Sequence, residues 1–539
     1  MIHKPYLLNL ILTFTLPILF LAFVSAIDEE NKNKLQPLNT NIYDTLKYDD
    51  LLDISDDGNM SEEVKNKVNY VLNNPVVDNT IMNSEIEIKQ NKPLGKFIRA
   101  ASWNIERGIE FDGIVDIFKN PAPLLKELEK TNSKNVETVK EQMAILREAD
   151  IIFLTEVDAG MPRTEYRKVA EDLARQLGYN YAYGVEFLEV DPAHLGLEDY
   201  KWSEEKSLFP HNTLDIDKNK YRGLHGSAIL SKFPLKNVRI VRLPKCYDWY
   251  KGEKLRVSRL EKLRRASSAK IFGEAVIREI RFGTRMALLA DIDIPGFDSS
   301  VTLVATHLEN RTEPKNRKNQ MKYLLNNLYN VSNPIIIAGD FNTDVTDAEP
   351  KGNNKMNQGR FSKLLDHFKI YNIPQHFAIT PLMAVPNVLR KHDDPTVKSL
   401  PFILPNPEKG LFSLLKKFDF KDDYHFDFRS VKGKYSGKKG NLADSNERSS
   451  KGFVPTYKFE RSLYLGKYKL DWFFVKAYCK SAKDKESSYK FAPHFGRTLY
   501  DLNYSFKNSF SDHAPITVDL PLEEPPAIEG HIKKHKEKM

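Results

Sequence analysis

The feature that most limits this chain is a recurring one: short apolar runs that stop on a polar residue able to bind a cation or move a proton. Phe97 to Trp103 ends on Asn104, and Ile151-Ile152-Phe153-Leu154 ends on Thr155-Glu156. Val301 to Thr306 ends on His307, and Pro334 to Ala338 on Gly339-Asp340-Phe341-Asn342. The run Ile516 to Leu520 is entered from Ser511-Asp512-His513-Ala514-Pro515, an adjacent acid and base with Pro515 fixing the backbone before the strand. Runs of this length and composition read as buried strands. Polar residues at strand ends on one rim of an α/β sheet are where binding and catalytic sites are normally built.

Between these runs the apolar spacing is helical. Asn135 to Glu148 places Val136, Val139, Met143 and Leu146 on one face; Tyr166, Val169, Leu173 and Leu177 do the same before Gly178, and Asn316 to Tyr329 is a third such segment. Early strands alternate with helices, whereas Gly226 to Leu230, Val238 to Leu243, Ala269 to Ile280 and Met286 to Ile294 follow one another as hairpins. This pattern predicts a mixed α/β sandwich, one domain from about 96 to 522. Stretches near 188–222, 247–267 and 345–460 hold no sustained period and read as insertions. Residues 27–95 are rich in Asn, Asp and Lys and read as a polar linker or loose extension, with a short helix around Ser61 to Leu72. Residues 523–539 form a basic C-terminal tail.

The N-terminus carries an apolar stretch from Tyr6 to Val24, then Val24-Ser25-Ala26 and an acidic Asp28-Glu29-Glu30. That is the layout of a secretory signal cleaved after Ala26 or, because the stretch is nearly long enough to span a bilayer, of a retained membrane anchor. Both readings send the protein along the secretory route. The formal net charge of +8 permits an anionic substrate without demanding one. With only Cys246 and Cys479, the chain is neither a disulfide scaffold nor a zinc–cysteine site, though a single bridge between the two is sterically open.

Asn104, Glu156, Asp340, Asn342 and Asp512 offer only oxygen ligands, which suit Mg²⁺ or Mn²⁺ rather than zinc. His307 and His513 remain for acid/base work near neutral pH. Taken singly, each has a structural reading: Asn104 and Asp340-Phe341-Asn342 as turn formers, Glu156 as a loop cap, His307 as a satisfied interior histidine. Asp471, inside Leu470-Asp471-Trp472-Phe473-Phe474, is harder to read that way, because a carboxylate in a run built for burial is costly unless paired.

In order, Ser102-Trp103-Asn104-Ile105-Glu106-Arg107-Gly108, Leu154-Thr155-Glu156, Ala305-Thr306-His307-Leu308, Gly339-Asp340-Phe341-Asn342, Leu470-Asp471-Trp472-Phe473-Phe474 and Ser511-Asp512-His513-Ala514-Pro515 resemble the endonuclease/exonuclease/phosphatase superfamily. That superfamily includes secreted DNases, abasic-site endonucleases, neutral sphingomyelinases and inositol polyphosphate phosphatases. The likeness spans roughly 96 to 520 outside the insertions. It implies a DNase I-like four-layer sandwich, two packed mixed β-sheets flanked by helices, and hydrolysis of a phosphoester by an activated water. It further implies Glu156 as the principal metal ligand with Asn104 and Asp512 completing the shell, and Glu106 beside a second metal. By the same likeness His513, oriented by Asp471, activates the water or steadies the phosphorane. Asp340 positions or deprotonates the nucleophile, Asn342 bonds the developing phosphorane oxygens, and His307 assists the leaving group. No carboxylate partner for His307 is legible, Glu186 and Glu189 being the candidates.

The resemblance leaves the substrate open among a lipid headgroup, a nucleic acid and a phosphorylated small molecule. A secreted DNase-like nuclease and a catalytically silent binding protein on the same fold are the alternatives. The basic segment Lys251 to Arg265, with leucines interleaved, suits an anionic membrane, a phosphate backbone or simply a solvated helix.

Overall fold

Apolar runs without polar alternation form strands here because both faces of each sheet are covered. The computed structural model describes residues 41–55, 60–81, 86–131, 133–190, 216–254, 280–343, 408–428, 452–459, 466–479 and 489–523, with short strand pieces at 399–400, 404–405 and 448–449. In chain order the strands that build the two main sheets are β1 (Val76–Asp78), β2 (Gly95–Arg107), β3 (Ile151–Ala159) and β4 (Asn180–Glu189). Then come β5 (Leu224–Ser231), β6 (Lys236–Arg242), β7 (Arg281–Gly283), β8 (Met286–Ile292) and β9 (Val301–Thr306). Last are β10 (Ile335–Asp340), β11 (Asp471–Lys476), β12 (His494–Thr498) and β13 (Ile516–Pro521).

The first sheet runs β1-β4-β5-β3-β2-β13-β12, with β7 on β4 and the short strand Gln90–Asn91 on β2; the second runs β11-β10-β9-β8-β6. β2 pairs parallel with β3, and β9 parallel with β10, while the other pairings are antiparallel, so both sheets are mixed. Side chains alternate across each strand. Ile151 and Phe153 point to the space between the sheets, where they meet Leu303, Ile336 and Phe473, while Ile152 and Leu154 point outward. The outward face is covered by α4 (Phe111–Lys119), α5 (Pro121–Lys130), α6 (Val136–Arg147) and α7 (Val169–Leu177), numbered after three helices nearer the N-terminus. On the far side of the second sheet, Ile335, Ile337, Trp472 and Phe474 pack against α8 (Pro314–Leu328) and α9 (Lys409–Lys416). The result is the expected helix–sheet–sheet–helix sandwich.

One expectation is corrected. Residues 27–95 are not a loose extension where the structure describes them: α1 (Ile42–Thr45), α2 (Tyr48–Ser55) and α3 (Glu62–Asn73) pack on the first sheet, and β1 joins its edge by pairing with β4. The polar composition hid a thin apolar stripe. Val64, Val68, Val71 and Leu72 are buried, Ser61 Oγ accepts the Val64 N–H at 3.2 Å to cap α3, and Tyr43 stacks on Tyr183. Each such burial contributes about 1.5–3 kcal/mol, enough to hold a helix that is otherwise polar.

The expected insertions are partly structured as well. Strand β4 continues to Glu189, inside the 188–222 stretch, and Tyr221 is buried at its return. A short helix, Trp249–Lys254, opens the basic segment with Trp249 buried, and α9 lies within 345–460, burying Leu411, Phe412 and Leu415. The N-terminal apolar stretch, most of the basic segment and the tail beyond 523 lie outside the described residues, among which no helix is long and apolar enough to cross a membrane. Cys246 is a free thiol and so does not pair with Cys479.

Candidate functional site

Strand order carries the chosen residues to one place. Asn104 sits near the end of β2, Glu156 at the bulge in β3, His307 just after β9, Asp340 at the end of β10, Asp471 at the start of β11, and His513 at the entrance to β13. Asp340 and Asp471 are direct cross-strand partners. Gathering them strains the backbone: Glu106, Arg107, Glu156 and Asn342 all take a left-handed φ of 45–66°, a conformation costing about 1–3 kcal/mol each for a residue with a side chain. Such strain persists only where packing over-determines it, and here it collects around the candidate residues.

Asp340 is the hub. Its Oδ2 accepts the Asn104 amide at 3.2 Å and lies 3.6 Å from His307 Nε2 and 3.7 Å from His513 Nε2, while its Oδ1 accepts the Asn342 N–H at 2.8 Å. Burial pushes the Asp340 carboxyl up to about 7; the charges of Asp471 and Glu156 add to this and His513 opposes it. His513 is held on its other side by Asp471, Nδ1 to Oδ2 at 2.7 Å. Burial disfavours its charged form, yet Asp471, Asp512 and Asp340 overrule burial and hold the imidazolium well above the ordinary range. Ser511 Oγ accepts the His513 N–H and donates to the Asn104 carbonyl at 2.6 Å, and Trp103 Nε1 donates to the His513 carbonyl at 2.8 Å. The two strand ends are thereby locked together.

His307 is prepared differently. Its Nδ1 faces Arg285 Nη1 at 2.7 Å, and Arg285 donates from the same nitrogen to Glu186 Oε2 at 2.8 Å. An arginine has no acceptor, so His307 Nδ1 must accept and the ring is neutral with its proton on Nε2. Burial, with the Arg285 charge added, holds its pKa well below the usual value. Nε2 lies 2.9 Å from Asn342 Nδ2, itself a donor to the Leu308 carbonyl at 3.0 Å, so a proton on Nε2 requires the Asn342 amide to turn its oxygen toward the ring. Of the two carboxylates proposed for His307, Glu186 reaches it only through Arg285, and Glu189 turns instead to Arg163 and Arg281. An intervening arginine leaves no trace in strand periodicity.

Two groups of ligand atoms are present for a cation. Asp340, Asp471 and His513 each offer one within 4.8 Å of the others. The short His513–Asp471 hydrogen bond and the protonated ring make that group a proton-sharing triad, since a cation there would have to displace the proton. Glu156 fits a cation better. Its carboxylate makes no hydrogen bond or ion pair among the described residues, and although burial pushes its pKa up, Arg107, His225, Arg285 and His513 pull it down, keeping it charged. Asp512 is raised by burial and by the Glu156 charge, a mutual repulsion that a hard divalent ion between them would relieve. Asn104 contributes less freely, its Oδ1 accepting the Glu106 N–H at 3.1 Å. Glu106 itself accepts the Asp512 N–H at 3.0 Å through Oε2.

Further residues stand in the site that sequence reasoning missed. His225 pairs with Asp158 at 2.8 Å, and Lys469 is buried with its Nζ over the Trp472 ring at 4.7 Å. Burial pushes the Lys469 amine down to about 7 against the pull of Asp471 and Asp340. Asp158 lies two positions beyond Glu156 and His225 stands beside Gly226 within β5, so local clues existed. Neither residue ends an apolar run, the pattern by which the others stood out.

Comparison with curated proteins gives no match. Among solved structures, an endonuclease/exonuclease/phosphatase from Beutenbergia cavernae is 14% identical with a TM-score of 0.35, covering 79% of this chain and 72% of that one. The human Nocturnin catalytic domain is 15% identical with a TM-score of 0.34, covering 80% and 96%. The 3'-5' exonuclease NExo from Neisseria meningitidis is 11% identical with a TM-score of 0.36, covering 78% and 98%. The model of the Endonuclease/Exonuclease/phosphatase family matches residues 101–360, so that stretch of the chain is similar to this family.

Proposed function

We propose that the protein is a phosphoester hydrolase dependent on Mg²⁺ or Mn²⁺, acting outside the cytoplasm on a phosphodiester or phosphomonoester. The observation that carries this reading is the Asp471–His513–Asp340–Asn104 chain of contacts beside an unpartnered, charged Glu156. A divalent cation held by Glu156 and Asp512, with Asn104 alongside, would neutralise phosphate charge and favour a nucleophilic oxygen.

The chain's own groups supply the rest. Asp340, near neutral in its proton affinity, accepts a proton from the attacking water and lies within reach of His513 to share it. The His513 imidazolium, fixed by Asp471, faces the negative charge that builds on the phosphorane oxygens. Asn342 and the neutral His307 add uncharged hydrogen bonds to the same oxygens. Removing water from this buried rim strengthens each of these interactions.

A lipid headgroup, a nucleic acid and a phosphorylated small molecule all present the phosphoester this site is built for. The secretory-route reading of the N-terminus favours the first two. The test is release of product from plasmid DNA, RNA, sphingomyelin and inositol phosphates with Mg²⁺ or Mn²⁺ and with chelator. Chelator-sensitive turnover of one class identifies the substrate, and no turnover of any would sink the hydrolase reading in favour of a binding protein.

A further inference from the structure

We infer that His225 is a further catalytic residue, its Nε2 delivering a proton to the leaving oxygen. The assignment rests on the hydrolase reading above and on three observations.

The first is a second carboxylate–imidazole pair. Asp158 and His225 face each other in register across β3 and β5, Nδ1 to Oδ1 at 2.8 Å, both buried. Asp158 is fixed by two bonds from Arg163, Nε at 2.6 Å and Nη2 at 3.1 Å, and Arg163 is tied to Glu189 at 2.9 Å. With Arg163 holding both of its oxygens, the Asp158 carboxylate orients the ring as Asp471 orients His513. The second is that Nε2 of His225 makes no hydrogen bond among the described residues. A buried ring fixed through one nitrogen and left unengaged at the other is costly unless something else meets it.

The third observation is placement. The strand order β5-β3-β2-β13 sets His225 on one side of Glu156 and His513 on the other. With strands about 4.8 Å apart, the two rings are rooted roughly 14 Å from each other. In-line displacement at phosphorus has the same demand: attacking and leaving oxygens lie on opposite sides. The attack side belongs to Asp340 and His513. His307 cannot serve the other side as an acid, because Arg285 occupies its Nδ1 and leaves it neutral.

The step balances as follows. The water oxygen bonds to phosphorus and its proton passes to Asp340. The bond from phosphorus to the leaving oxygen breaks with its electron pair on that oxygen, which takes the Nε2 proton of His225. Asp340 then releases its proton to solvent, and solvent restores one to His225.

The experiment uses the full chain and methyl aryl phosphate diesters whose leaving phenols range from p-nitrophenol to phenol, comparing wild type with His225→Asn. The asparagine amide reaches Asp158 in place of Nδ1–H and lacks anything at the Nε2 position. His225→Gln, with an amide near the Nε2 position, is carried alongside, and thermal melts confirm folding of each. The expected result is a loss of on the order of 10²-fold for the phenol ester, shrinking steadily toward the p-nitrophenol ester, which needs little protonation. A loss of the same factor across the series, or no loss, overturns the assignment while leaving the hydrolase reading intact. Wild type inert on this series but active on a natural phosphoester moves the same comparison to that substrate. Wild type inert on everything overturns both.

Discussion

Two histidines approach the same oxygen of Asp340, His307 at 3.6 Å and His513 at 3.7 Å, and their rings are prepared in opposite ways. Behind His513 stands a carboxylate, Asp471; behind His307 stands a guanidinium, Arg285. The carboxylate makes His513 a cation, and the guanidinium keeps His307 neutral, although both rings are equally buried. Burial alone would push both toward the neutral form. The group behind the ring, not its depth, therefore decides the state of each histidine: His513 is held as a cation and His307 as a neutral ring.

The largest expected effect breaks the comparison on its charged side. His513→Ala should lower kcat on the identified substrate by on the order of 10²-fold or more, and Asp471→Asn should come close to it, since the pair acts as a unit. The double variant should then cost little more than His513→Ala alone. Independent, additive losses in a double-mutant comparison of kcat would show that Asp471 does not work through His513.

The neutral side predicts a smaller, spectroscopic effect. Arg285→Gln removes the charge behind His307 while leaving an amide to bond Nδ1 and Glu186. The His307 pKa should rise, as expected for losing a like charge in contact. Ring-proton NMR titration of the metal-free protein reads this directly, and an unmoved His307 would mean that burial, not Arg285, sets its state. Activity should fall less than for His513→Ala, because a hydrogen-bond donor is perturbed and not removed.

How much of this was legible beforehand follows from where each signal sits. The sandwich was readable because runs such as Ile151 to Leu154 and Ile335 to Ala338 bury both faces, and a chain with several such runs must stack its sheets. Asn104, Glu156, His307, Asp340, Asp471 and His513 were readable because each interrupts or ends an apolar run. Arg285 and Glu186 were not assigned together, since their meeting depends on β4 and β8 facing each other across the sandwich, a relation no local spacing encodes. His225 was missed because it lies inside a strand in sequence and becomes notable only when Asp158 stands opposite. Within residues 42–78 the helix expected at Ser61 to Leu72 is present, but its packing and that of the flanking segments were misread for the converse reason: their average composition is polar, and the sheet supplies the apolar partner that their own sequence lacks.

The smallest expected effect concerns what the two histidines share. Asp340 is a buried acid whose folded pKa, about 7, exceeds its unfolded value of about 3.9. Between those values the folded state binds more protons than the unfolded one, so this group's contribution to stability is full below about pH 4 and is lost as pH rises through about 7. Asp340→Asn keeps an oxygen for the Asn104 and Asn342 donors and removes the titration. In chelator, its Tm should approach or exceed that of wild type as pH rises from 5 to 8, a shift of a few degrees. Adding Mg²⁺ should narrow that difference at pH 8 if the cation offsets the negative charge that Glu156 adds at Asp340. A Tm difference that stays flat with pH would place the Asp340 proton elsewhere, on His307 or His513, and the contrast between the two rings would have to be redrawn with one proton shared among all three groups.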